Sequence, residues 1–407
     1  MRRSVWLVCA LVAWGCRRES APEPVPLQGP PVRVQVFPDL AGTAYLRARG
    51  TVKILTIPDL VLRYQGDLDN PTALAADGEG FRIGRQFYPS PIRISPWSAG
   101  PLAVSAPQEP TEAGDASPAD PARAYRGVLD LFNMKGRIRI VNEVSLEEYI
   151  AGVIGSEVPA SFPPAALQAQ AIASRTYALY HILAQPKGSP SRGFEASPSF
   201  QVYRGLRDES EAVRRAVRAT AGWVLTHQGK LFPAYFHSTC GGNTTNGSLV
   251  FGHPPIPPLR GVPCDGCFRS ANHRWNFAAS LPDIETILRP WAEAHGIALG
   301  ALKRLEGVDP LPGGYLRYVR VRHAGGAFEM LADHFRSRLV RGGLSGLKST
   351  SFEVEAGREP GTVVFRGSGW GHGVGLCQNG AGWKGREADY PQLLAHYYPE
   401  SELKRVY

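Results

Sequence analysis

Glu157 sits in Ser156-Glu157-Val158-Pro159, where the proline keeps Val158 out of helical geometry and redirects the chain just past the carboxylate. With Val158, Pro159 and Phe162 around it, that carboxylate can be partly desolvated. Desolvation raises a carboxyl pKa, as a general acid working near neutral pH requires. The same position also suits a carboxylate that caps the next turn or faces water. Glu147 and Glu148 are poorer candidates: Glu148 completes a capping box with Ser145, and Glu147 is expected to face solvent.

A second group is His237-Ser-Thr-Cys240 followed by Cys264-Asp-Gly-Cys267. One imidazole and three thiolates, His237, Cys240, Cys264 and Cys267, make a closed tetrahedral set for structural zinc, which leaves no position for a reacting water and disfavours a metallohydrolase. The intervening Gly241 to Pro263 is rich in Gly, Pro and Asn, the kind of loop a metal clip stabilises. The rival reading is a disulfide between Cys264 and Cys267, or from Cys240 to either, in an oxidising compartment. Cys377 reads as a small buried residue.

The third group is Gly367 to Ala381, with glycine at 367, 369, 371, 373, 375 and 380. Such a run lets backbone approach a ligand and presents Trp370, His372 and Gln378 from a tight loop; a cramped turn would look the same. On the helix predicted from Ala165 to Ala184, Gln170, Ser174 and Tyr177 share a face, and Gln168 with Arg175 form another. An arginine in an Ala-rich helix is ordinarily solvated or paired with an acid such as Glu148 or Glu157.

The elements that must position these residues are legible in part. Ser145-Leu-Glu-Glu148 with Tyr149, Ile150, Val153 and Ile154 predicts a short helix over Leu146–Gly155, and Pro163-Pro164 opens the longer one. The two helices meet near Ser156 to Pro164, with Glu157 at the corner. Further helices are expected at about 208–221, 282–300 and 391–398, and strands at 127–132, 137–141, 223–226, 232–237, 315–321 and 362–365. Alternating Val32, Val34 and Val36 and later short runs predict an all-β unit over 32–105, a Pro-rich linker over 106–124 and a catalytic body over 125–407. The fold class is α+β.

Met1-Arg2-Arg3, an apolar run to Trp14 and then Gly15-Cys16 read as a secretory signal over 1–15, with Cys16 placed like the acylated cysteine of a bacterial lipoprotein. Residues 16–31 read as a tether, and Arg17 after Cys16 favours a periplasmic lipoprotein held at the outer membrane. Across 407 residues, 45 Lys and Arg face 36 Asp and Glu, an excess that suits an anionic partner such as a cell-wall polymer. No dense basic run with interleaved aromatics points to nucleic acid, no stretch is long enough for a polytopic membrane protein, and neither a phosphate-binding loop nor a dinucleotide fingerprint is present.

Together, the runs Val141 to Ala160, Ala166 to Tyr177, Tyr235 to Gly242 and Gly369 to Gln378 resemble the stage II sporulation protein D family, which includes proteins named amidase enhancers. The resemblance extends from about residue 125 to the C-terminus. It implies a lytic transglycosylase that cleaves MurNAc–GlcNAc bonds of peptidoglycan strands stripped of peptide stems, with Glu157 as acid and base and 1,6-anhydro ends as product. Gln170, Arg175, Tyr177, His372 and Gln378 would then line a sugar groove. A cell-wall amidase is an implied partner, and the alternative is a non-catalytic wall-binding lipoprotein that recruits or activates such an amidase. The chain departs from the family at Cys377-Gln378-Asn379, where Ser-Gln-Trp is common; loss of the aromatic at Asn379 bears on sugar stacking.

Overall fold

The computed structural model describes residues 28–68, 70–98, 100–105, 122–184, 194–195 and 201–407. The expected signal, Cys16, most of the tether and most of the Pro-rich linker lie outside the described residues.

Strand Pro31–Gln35 buries Val32 and Val34 and pairs antiparallel with Arg137–Ser145, Val32 facing Val144. This pair belongs to a seven-stranded sheet that runs Phe194–Glu195, Pro31–Gln35, Arg137–Ser145, Val128–Met134, Ile92–Pro96, Thr51–Thr56, Leu62–Asp67. A six-stranded sheet runs Arg123–Tyr125, Leu102–Ser105, Ala44–Ala48, Thr72–Asp77, Gly80–Ile83, Gln86–Pro89. Strands from before and after 106–124 therefore pair within the seven-stranded sheet, and Arg123–Tyr125, at the end of that stretch, joins the six-stranded one, so the expected β unit shares its sheets and core with the start of the body.

Eight α-helices join the described strands: α1 (Leu146–Glu157), α2 (Pro164–Ala184), α3 (Glu211–Ala219), α4 (Gly247–Phe251), α5 (Leu281–Ala294), α6 (Ala332–Arg341), α7 (Gln378–Lys384) and α8 (Tyr390–Tyr397). Ser145 caps α1 by accepting from the Glu148 N–H, at 3.3 Å. Tyr149, Ile150, Val153 and Ile154 are fully buried against the first core, each apolar side chain contributing about 1.5–3 kcal/mol of burial.

Helix α2 is buried on nearly every side from Ala166 to Ala178. Leu167, Ala171 and Ala178 meet the β core, while Ala166, Ala169, Ile172 and Ala173 meet a second core with Leu376, Ala381, Leu393 and Tyr397. A helix clasped from two sides needs small residues, which explains its alanine content. A third core gathers α5 and α6 with the sheets of residues 274–368. The strand expected over 232–237 is only Phe236–His237, beside Leu376–Cys377; Pro233 has no N–H for a ladder. Three helices went unforeseen, α4, α6 and α7, the first in the Gly/Pro/Asn-rich segment and the last in the glycine-rich stretch, both read as loop.

Candidate active site

Helix α1 ends at Glu157 because the residue before Pro159 is extended, with φ −135° and ψ 148° at Val158. The Glu157 side chain is half-buried, with a remaining opening to solvent. Its Oε1 accepts from the Val202 backbone N–H at 3.1 Å, and its Oε2 accepts from Gln378 Nε2 at 3.3 Å. Burial pushes the carboxyl above its ordinary value, and the two donors oppose that rise without cancelling it. Beneath it, the fully buried Tyr149 donates to Gln201 Oε1 at 2.8 Å, while Gln201 Nε2 donates to the Ser174 carbonyl at 3.1 Å. The 201–202 segment is thereby pinned against α1 and α2. Such a carboxyl can give up a proton and take one back.

Of the five residues expected around it, Gln378 touches Glu157 directly. Gln170 is buried one helical turn from Ser174, to whose Oγ it donates at 3.0 Å. Tyr177 and His372 both pack on Tyr235, with ring centres 5.7 and 5.8 Å away, in an aromatic group that includes Phe251. His372 Nδ1 accepts from the Val374 N–H at 3.0 Å, and burial pushes this imidazole down to about 3, so it is neutral.

Arg175 stands apart. It is fully buried and bonds Glu147 twice, at 2.8 and 2.6 Å, while its remaining arm donates to the Trp223 carbonyl at 2.9 Å. Glu147, expected in solvent, is the hub of this knot, accepting also from the Gly222 N–H at 3.1 Å and from Tyr407 Oη. Glu148 pairs with Arg126 and Arg214. Arg175 therefore fastens α2 to α1 and reaches no groove.

The glycine run approaches its own chain. A Cβ on Gly373 would lie 2.2 Å from the Tyr315 ring and one on Gly375 2.1 Å from the Tyr235 carbonyl, and both have positive φ. Trp370 is left half exposed.

The cysteine set differs from expectation in one ligand. Cys240, Cys264, Cys267 and Cys377 are buried with all four sulfurs within 4.8 Å of one another. His237 is outside that group: its Nδ1–H donates to the Val374 carbonyl at 3.1 Å, and its ring faces His372 at 5.5 Å. Burial pushes His237 down to about 3. Parallel pairing of Phe236–His237 with Leu376–Cys377 turns Cys377 inward instead. The Cys240 and Cys267 sulfurs are 3.5 Å apart, too far for a disulfide and close to the ~3.8 Å separation of thiolates on tetrahedral zinc. The Cys240 and Gly380 N–H groups each donate to Cys377 Sγ at 3.3 Å, and Tyr397 Oη lies 3.2 Å from Cys264 Sγ, an outer shell suited to thiolates. The set is compatible with a metal.

Sequence reasoning missed Val202, Gln201 and Tyr149 as supports of Glu157, since a loop N–H leaves no mark in residue type. It also missed Cys377, whose signal was only that a fourth cysteine remained.

A family profile described as stage II sporulation protein matches residues 134–227, and one described only as a domain of unknown function matches 267–375. An uncharacterised protein of Brachyspira hyodysenteriae is 30% identical over 276 residues, covering 67% of this chain and 70% of its own. Stage II sporulation protein D of Bacillus amyloliquefaciens is 29% identical over 280 residues, 65% of this chain and 76% of its own. The amidase enhancer of Bacillus subtilis is 27% identical over 299 residues, 62% of this chain but 40% of its own.

Proposed function

The chain belongs to the stage II sporulation protein D family, whose work concerns the cell wall, and on that premise we propose that it is a peptidoglycan lytic transglycosylase with Glu157 as acid and base. The observation that carries this reading is the half-buried Glu157 carboxyl, raised by desolvation and steadied from the side by Val202 and Gln378. Protonated, it gives its proton to the oxygen between MurNAc and GlcNAc as the C1–O bond breaks. The resulting carboxylate then takes the proton of the MurNAc C6 hydroxyl as that oxygen closes on C1. The product is a 1,6-anhydro end, no water is consumed and Glu157 is again protonated. One carboxyl suffices, in contrast to the carboxyl pair of ordinary glycosidases.

The proposal includes a structural zinc on Cys240, Cys264, Cys267 and Cys377, which would hold the 264–267 loop against α7 and take no part in the reaction. It also includes export and anchoring through Cys16, with the tether carrying the enzyme to the wall from the outer membrane. Similarity to a protein named amidase enhancer favours a second reading, a non-catalytic wall-binding protein that activates an amidase.

The test is mass spectrometry of stem-free glycan strands after incubation with the protein and with Glu157→Gln. Anhydro-MurNAc ends from the parent, reduced by at least ~100-fold in the variant, are expected. Retained glycan binding without anhydro ends from either would transfer support to the amidase-activating reading.

A further inference from the structure

The strands Arg274–Ser280, Thr362–Ser368 and Phe352–Ala356 form an antiparallel sheet with Thr362–Ser368 in the middle. One face sends Trp275, Val363, Phe365 and Phe352 into the third core. Side chains alternate along a strand, so Arg274, Asn276, Arg366, Ser368 and Glu353 share the other face. A groove of about 450 Å3 lies over that face, within the size range of small-ligand sites. Its lining includes neither Glu157 nor Val202 and Gln378, which bond Glu157.

Two charges in this groove are left over. Arg274 Nη1 donates to the Gly241 and His273 carbonyls at 2.8 and 2.9 Å, which fixes the guanidinium, and its other edge meets no carboxylate among the described residues. Glu353 faces Arg366 in the strand register, yet Arg366 bonds Glu355 at 3.0 Å, and Glu353 pairs with no cation among the described residues. Arg274 and Glu353 are separated by two strand spacings and one two-residue step, about 12 Å between Cα atoms. A short peptide covers such a span in about three to four extended residues.

What lies between the two charges is polar and open. Asn276 is exposed and its amide has no partner among the described residues, while the Ser351 and Ser368 hydroxyls pair at 2.9 Å. Gly313 and Gly314, with φ of 81° and 78°, bring bare backbone to the rim.

We propose that this groove binds the peptide stem of the cell wall, at a site separate from the one that acts on glycan. A stem is a short peptide whose third residue is a diamino acid and whose last is D-alanine, so it carries a free side-chain amine and ends in a carboxylate. The carboxylate meets the open edge of Arg274, the amine meets Glu353, and the amides between them meet Asn276 and the serine pair. The inference rests on the family's place at the cell wall and does not need the transglycosylase reading. It gives a binding role to the 267–375 region, whose own profile is described only as a domain of unknown function.

The test is calorimetry of the full chain with the free stem L-Ala-γ-D-Glu-diaminopimelate-D-Ala. Saturable binding to the parent is expected. Glu353→Gln should weaken it roughly tenfold, and a stem acetylated on its side-chain amine should bind parent and variant alike. Arg274→Gln should weaken it by a similar factor, and a stem amidated at its terminal carboxyl should no longer distinguish that variant from the parent. Both side chains are exposed, so the variants keep the fold. Absence of binding to the free stem overturns the proposal, as does undiminished affinity in the two variants. Equal affinity for the all-L peptide Ala-Glu-Lys-Ala overturns it too, because the groove would then be a general peptide site. Anhydro-end formation from stem-free strands is measured in parallel: if the parent forms none while the stem still binds, the transglycosylase reading falls and the stem site stands.

Discussion

At the residue scale, Glu157 works only when protonated at the first step, so turnover should fall as pH rises through its raised pKa. Gln378 donates to the ionised form and therefore lowers that pKa. Removing the donor in Gln378→Leu raises it further, so the protonated acid persists to higher pH. The basic limb of the pH–rate profile for anhydro-end formation should move upward in this variant. A merely structural role for Gln378 would lower the rate at every pH and leave the limb in place, and that result would sink the assignment of Gln378 as a positioning residue.

At the scale of elements, the corner between α1 and α2 depends on the buried Glu147–Arg175 pair, whose side chains are 1% and 0% exposed. Cutting Arg175 to methionine leaves Glu147 charged, buried and short of its partner, and should cost about 3–5 kcal/mol. Adding Glu147→Leu to Arg175→Met should restore most of that, because a packed apolar pair replaces the ion pair without a stranded charge. Chemical denaturation of the two variants checks this. Equal stability of Arg175→Met and the parent would contradict the fastening role. The sequence offers Arg175 water, Glu148 or Glu157, whereas its partner is Glu147, a residue expected in water.

At the scale of the whole molecule, a strand pairing over 140 residues of sequence decides which side chain completes the cysteine set. Purified protein should carry one zinc by elemental analysis. Cys377→Ser should lower that stoichiometry and release the 264–267 loop, measured as a lower melting temperature, while His237→Ala should keep its metal. The reverse pattern would restore His237 as the ligand. Among the described residues no helix is long and apolar enough to cross a membrane.

The sequence by itself determined the local features: the Ser145 cap and α1, the corner at Pro159, the start of α2, the α+β class, and Glu157 as the residue at the corner. These follow from periodicity, proline geometry and capping, which act over a few residues. Tertiary structure alone decided what depends on distant segments meeting. It brought Val202 and Gln378 to Glu157, buried Arg175 on Glu147, exchanged His237 for Cys377, and merged the early strands with later ones across the Pro-rich stretch. In each case the partner lies tens to hundreds of residues away, and residue type specifies that a hydrogen bond or charge must be satisfied without specifying by whom.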